Sequence, residues 1–158
     1  MKQFTIKSIL LLSLLMILSC GFKVVDNKIG KNFTIKEIKT KENNRINYKI
    51  KNNLLMDSQK DSSNFININL TTSKIKNIKE KNIKNEVTKY EISLKVIAKI
   101  ISIDNSNEII INTFVNGEYL VADNYSNTLN NEKNLIENLA EILSQRILKQ
   151  ISLRINDL

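Results

Sequence analysis

Period-two alternation dominates the middle of the chain. In Phe65–Thr72, Ile66, Ile68 and Leu70 share one side while Asn67, Asn69 and Thr71 share the other. That pattern predicts a half-buried strand with one wet face. Val87–Ile103 carries the same signal at greater length, with Tyr90, Ile92, Leu94, Val96, Ala98 and Ile100 all on even positions. A strand that long is expected to bend, bulge or fray. Asp104–Asn107 is a turn cluster, and Ile109–Val115 reads as the returning strand of a hairpin. Ahead of these, Phe33–Ile38 reads as a first strand.

The spacing becomes helical in two places. Between 44 and 57, Ile46, Ile50 and Leu54 recur every four residues, with Asn43 or Asn44 available as a cap and 57–64 as a loop. From about Asn131 to about Ile155, a stripe of Ile136, Leu139, Ala140, Leu143, Ile147 and Ile151 faces one way. Thr128 or Asn130 can cap that helix, and Glu132 falls in its first turn, where negative charge is favoured. Leu135, Ile142 and Leu153 widen the stripe, either as more core or as a flank left for a partner. Asn116–Asn130 reads as a connection. Ser73–Asn85, with its lysines broken by Ile75, Ile78 and Ile83, reads as strand extensions leading into a long connection.

The element order is therefore β-α-β-β-β-α. It predicts an α+β two-layer sandwich: a four-stranded mixed sheet with both helices on one face. The other face, carrying Asn, Thr, Ser and Lys, should stay open to solvent. Residues 33–158 are expected to form this single domain. No repeat and no Pro- or Gly-rich linker marks a second one.

The N-terminus changes the picture from fold to location. Lys2 and Lys7 make a positive start, Ser8–Leu18 is almost wholly apolar, and Ile17-Leu18-Ser19-Cys20 ends the run. Positive start, apolar core and small-residue cleavage site are the three parts of an export signal. The run is shorter than the roughly 20 apolar residues that span a bilayer. A cysteine at the cleavage position is the bacterial lipoprotein signature. Residues 1–19 are thus expected to be removed, Cys20 to be acylated, and 20–32 to serve as a tether. Gly21, rather than aspartate, follows Cys20, which favours the outer membrane, periplasmic face.

Composition then narrows the chemistry. Cys20 is the only cysteine, so no intramolecular disulfide can form. With no His, no Pro and no Trp, imidazole bases, Ser-His and Cys-His systems and the usual zinc sites are excluded. The glycines stand at 21, 30 and 117 and form no phosphate loop. The expectation is a protein that is not an enzyme, with no cofactor and no metal. The formal charge of +8 becomes +6 once Lys2 and Lys7 leave with the signal. Ile, Asn and Lys make up nearly half the chain, so part of that charge reflects genome bias. Export makes nucleic acid an unsuitable partner.

Cys20-Gly21-Phe22, the β-α-β-β-β-α order, and the stretch from Tyr125-Ser126 through Glu132-Lys133 to Leu139-Ala140 and Ile147 resemble the LPS-assembly lipoprotein family (LptE), particularly its alphaproteobacterial branch. Lys23-Val24-Val25 departs from the proline that often follows there. The resemblance implies a plug and assembly partner inside the LPS-translocon β-barrel (LptD-like), in contact with LPS on its way to the cell surface. Lys74, Lys76, Lys79, Lys81 and Lys84 are the candidates for contact with LPS or the partner, set against a plain solvated lysine-rich loop. An auxiliary lipoprotein of an envelope lipid ABC transporter is the competing reading. A carboxylate-based hydrolase is a more remote one.

Overall fold

A computed structural model describes residues 33–41, 44–56, 62, 64–104 and 106–155. Six elements follow one another: β1 (Thr34–Thr40), α1 (Arg45–Met56), β2 (Phe65–Lys81), β3 (Val87–Ser102), β4 (Glu108–Leu120) and α2 (Tyr125–Arg154). The sheet order is β1-β2-β3-β4. β1 runs parallel to β2, and the remaining pairs are antiparallel. This is the predicted α+β fold, with a mixed four-stranded sheet and two helices.

Parity decides which side chains meet. Ile68, Ile100 and Ile109 stand in one cross-strand row, and Leu70, Ala98 and Ile111 in the next. All six are buried, and they join Ile50 and Leu54 of α1 and Leu139, Ala140, Leu143, Ile147 and Ile151 of α2 in a single hydrophobic cluster. The helices therefore share the even face of β2 and β3. Gly117 lies beneath α2, where an added Cβ would stand 2.7 Å from a Leu135 methyl. A residue without a side chain lets the helix come close to β4 at that point.

Helix starts were only half legible. Asn44 does cap α1, its side-chain oxygen accepting from the Asn47 amide at 2.9 Å. The second helix begins at Tyr125, six residues ahead of its expected start, and Asn124 is its cap, accepting from the Ser126 amide at 2.7 Å. Thr128 instead turns back to take the Ala122 amide at 2.9 Å. This ties the β4–α2 connection together. β4 itself continues to Leu120, so most of the expected connection is strand and helix.

The lysine-rich segment is also mostly strand. β2 extends to Lys81 and pairs with β3 as far as Val87, leaving only 82–86 as a tip. Asn82 makes so short a tip possible: its side-chain oxygen accepts from the Lys84 and Glu86 amides at 2.9 and 3.0 Å. Asn85 supplies the left-handed backbone that closes it, at φ 63°. The irregularity expected in the long strand β3 is shared with its partner: of the register shifts on either side of Glu80, one skips Lys79 on β2 and the other skips Thr88 on β3. The open face is less polar than predicted. Ile75, Ile97, Ile110, Phe114 and Leu120 are all exposed there. Alternation puts them opposite the core, and among the described residues no second layer covers them.

Candidate functional site

The five lysines do not form one patch. Lys74 and Lys76 continue the parity of Ile66, Ile68 and Leu70, so their side chains rise on the helix side of the sheet. There they meet the first turns of α2. Glu132 Oε1 lies 3.4 Å from Lys74 Nζ, and Oε2 lies 2.6 Å from Lys76 Nζ. Tyr119, on β4, donates its hydroxyl to the same Oε2 at 2.9 Å. Lys76 also sits 4.3 Å over the ring of Tyr90, which stacks on Tyr119 with centroids 5.6 Å apart. One carboxylate thus holds two cations and a phenol, joining β2, β4 and α2 above an aromatic pair.

The electrostatics follow from that crowding. Burial pushes the Glu132 carboxyl up, but hydrogen bonds from Lys76 and Tyr119 and the charges of both lysines outweigh it, holding it below its ordinary range. Burial pulls Lys76 down, and its bonds to Glu132 and Tyr119 more than restore it, leaving it raised. Burial is the main cause that lifts the Tyr119 phenol.

A carboxyl held low in the fold contributes stability above its unfolded value of about 4.3, and loses that contribution as pH falls through the lower folded value. Glu132→Gln should therefore cost about 1–2 kcal/mol near pH 7, less than a fully buried pair because the lysine ends reach water. The deficit should shrink in acid, as pH falls through that lowered folded value and the wild-type carboxylate is itself lost. Urea denaturation of both proteins at neutral and acid pH measures this. A deficit that is the same at both would show that the charge is not what stabilises the cluster.

Lys79 lies on the opposite, open face, 3.2 Å from Glu91 and 3.3 Å from Glu118. These contacts raise its pKa, the Glu91 hydrogen bond most. Lys89 extends the network to Glu80 at 3.1 Å and to Glu118 at 3.7 Å. Lys81 is at the tip and bonds the Asn85 side chain at 2.9 Å. Lys84 and Ile83 project from the tip into solvent, both exposed. Of the five candidates, Lys81 and Lys84 are the ones that face no carboxylate among the described residues. Cys20 lies outside the described residues.

Sequence reasoning missed Glu132, Tyr90 and Tyr119 as partners of these lysines. The even parity of Lys74 and Lys76 was the available signal, since it already placed them under whatever helix covered the sheet. A second feature was not foreseen at all. Between α1 and α2 lies a cleft of about 360 Å³, floored by Ile46, Leu129 and Ile136 and flanked by Tyr48. An Arg45–Glu137 ion pair of 3.1 Å bridges the two helices beside it. Among the described residues, no cluster of three or more His, Cys, Asp or Glu could hold a metal ion.

No protein-family model matches the sequence, and none of the curated proteins matches it. Solved structures do. Rare lipoprotein B from Shewanella oneidensis superposes with a TM-score of 0.59, covering 78% of this chain and 96% of that one at 14% identity. A protein from Caulobacter crescentus described as a lipoprotein gives 0.55, covering 82% and 94% at 15% identity. At such identities the likeness is one of fold.

Proposed function

We propose that the protein is an outer-membrane lipoprotein, acylated at Cys20 and facing the periplasm, which plugs the LPS-translocon β-barrel, supports its assembly and helps deliver LPS to the cell surface. The anchoring half of this reading is supported by the signal sequence ending at Cys20, on a fold shared with two proteins named as lipoproteins.

The observation that carries the barrel half is the uncovered sheet face. Its charges are largely balanced within the face: Lys79 with Glu91 and Glu118, Lys89 with Glu80 and Glu118, and Lys99 with Glu108 at 2.6 Å. Such a surface can sit in a polar barrel lumen with most of its charge already paired. Direct charge-assisted contact with LPS phosphates then falls first to Lys81 and Lys84, which face no carboxylate among the described residues, whereas Lys79 sits between two.

Affinity purification of the full chain from detergent-solubilised envelopes, with its anchor intact, tests the barrel role. The expected result is stoichiometric recovery of a large outer-membrane barrel. Recovery with a permease instead would favour the transporter-auxiliary reading, and recovery free of any membrane partner would sink both.

A further inference from the structure

The sheet has one long stretch of backbone that the rest of the fold leaves unpaired. β1 stops pairing with β2 at Thr40 and Leu70, with a last bond from the Lys41 amide to the Leu70 carbonyl at 3.1 Å. β2 runs on to Lys81. The direction of its backbone groups is fixed by that last bond. Even residues point toward the β1 side, while odd ones, such as Phe65 with its carbonyl on the Ile103 amide, point to β3. The amides and carbonyls of Lys74, Lys76 and Ile78 therefore face outward. Among the described residues, no backbone or side-chain group bonds them.

The contrast with the other edges is informative. At β4, α2 reaches over the edge to occupy three of its outward carbonyls. Arg146 donates to Phe114 at 2.8 Å, Arg154 to Ile110 at 3.3 Å, and Asn131 to Leu120 at 3.1 Å. β1 is seven residues long and irregular at Lys36. Short, bulged or covered edges are the usual defences against unwanted pairing. The β2 edge has none of these before its shift at Glu80.

Of the segments outside the description, residues 42–43 follow Lys41 at the near end of this edge, and the others attach elsewhere. Residues 1–32 and those between Met56 and Phe65 join the sheet at the Thr34–Phe65 end. The C-terminus leaves α2 beside Ile110, at that same end.

We infer that the β2 edge from Lys74 to Ile78 is a docking site for an extended segment of a partner protein, added as a further strand. The neighbours of that strand define its chemistry. On the helix side it would lie beside Lys74 and Lys76, two cations that share the single carboxylate of Glu132. On the open side it would lie beside Ile75, which is 57% exposed. The matching segment alternates carboxylates with aliphatic residues, and backbone bonds supply its affinity. A second copy of this chain is a poor occupant, since its own edge would set lysine against lysine. The inference is independent of the barrel reading.

Hydrogen–deuterium exchange of the full chain, extracted in detergent micelles, tests it with a short capped peptide alternating valine and glutamate. Binding should slow exchange of the β2 amides from Lys74 to Ile78 by about tenfold or more. A peptide alternating valine and lysine should give no protection, and N-methylation of the first peptide's pairing amides should abolish it. No protection by the glutamate peptide overturns the inference. So does equal protection by the N-methylated or the lysine peptide.

Discussion

Leu143→Ala should lower the stability of the fold by about 3–4 kcal/mol, toward the upper part of the range for buried leucines. Leu143 is wholly buried at the middle of α2, within the stripe that faces the sheet. Alanine is the strongest helix former, so the substitution adds nothing unfavourable to the helix itself. What remains is the lost transfer of the side chain and the cavity left among rigid neighbours. The strand residues of the core cluster it belongs to are mostly β-branched isoleucines, which have few rotamers with which to fill the space. A domain of this size has only about 5–15 kcal/mol in total, so the midpoint of urea unfolding should fall by a quarter or more. Leu153→Ala is the control, because that side chain is 72% exposed and its loss should cost less than about 0.5 kcal/mol. Equal losses at the two positions would mean that α2 does not present Leu143 to the core.

The two leucines show where sequence patterning succeeds and where it stops. The four-residue recurrence ending at Ile151 placed the core face of α2 correctly, because burial on one side of a helix imposes that period. It could not separate Leu153 from Leu135 and Ile142. Those two pack against the core, while Leu153 lies in the last turn and stays exposed. The strands follow the same logic. Even residues of β2 and β3 went to the core, which was legible. How far β2 continued was not, because Lys74 and Lys76 look like loop residues when read for polarity alone. Their partner, Glu132, lies 56 residues from Lys76, and only the packed sheet brings the two together. The tip at 82–86 was missed for a different reason. Its closure depends on side-chain bonds from Asn82 and on one left-handed asparagine at Asn85, in a chain where asparagine is common everywhere.

Cys20→Ala, made behind a signal peptide whose cleavage needs no cysteine, should move the protein from the membrane fraction to the soluble fraction almost completely. The argument is one of anchoring energy. Among the described residues no helix is long and apolar enough to cross a membrane, so the proposed attachment rests on acyl chains at Cys20. A buried acyl chain contributes about 0.8 kcal/mol per CH₂; a single chain holds only marginally, whereas several on one residue hold effectively for good. Removing the thiol removes the site of acylation and with it every chain. Labelled palmitate should be incorporated by the wild type and not by the variant. The variant should remain folded, since the core of the described residues is assembled from Phe33 onward without Cys20. If the unlabelled variant still sediments with membranes after a high-salt wash, the anchor is not the cysteine, and a tightly held membrane partner is retaining the domain by protein contact alone. If the variant is soluble but no longer recovers a barrel that the wild type recovers, the acyl chains also serve assembly, by keeping the domain concentrated at the membrane where that partner resides.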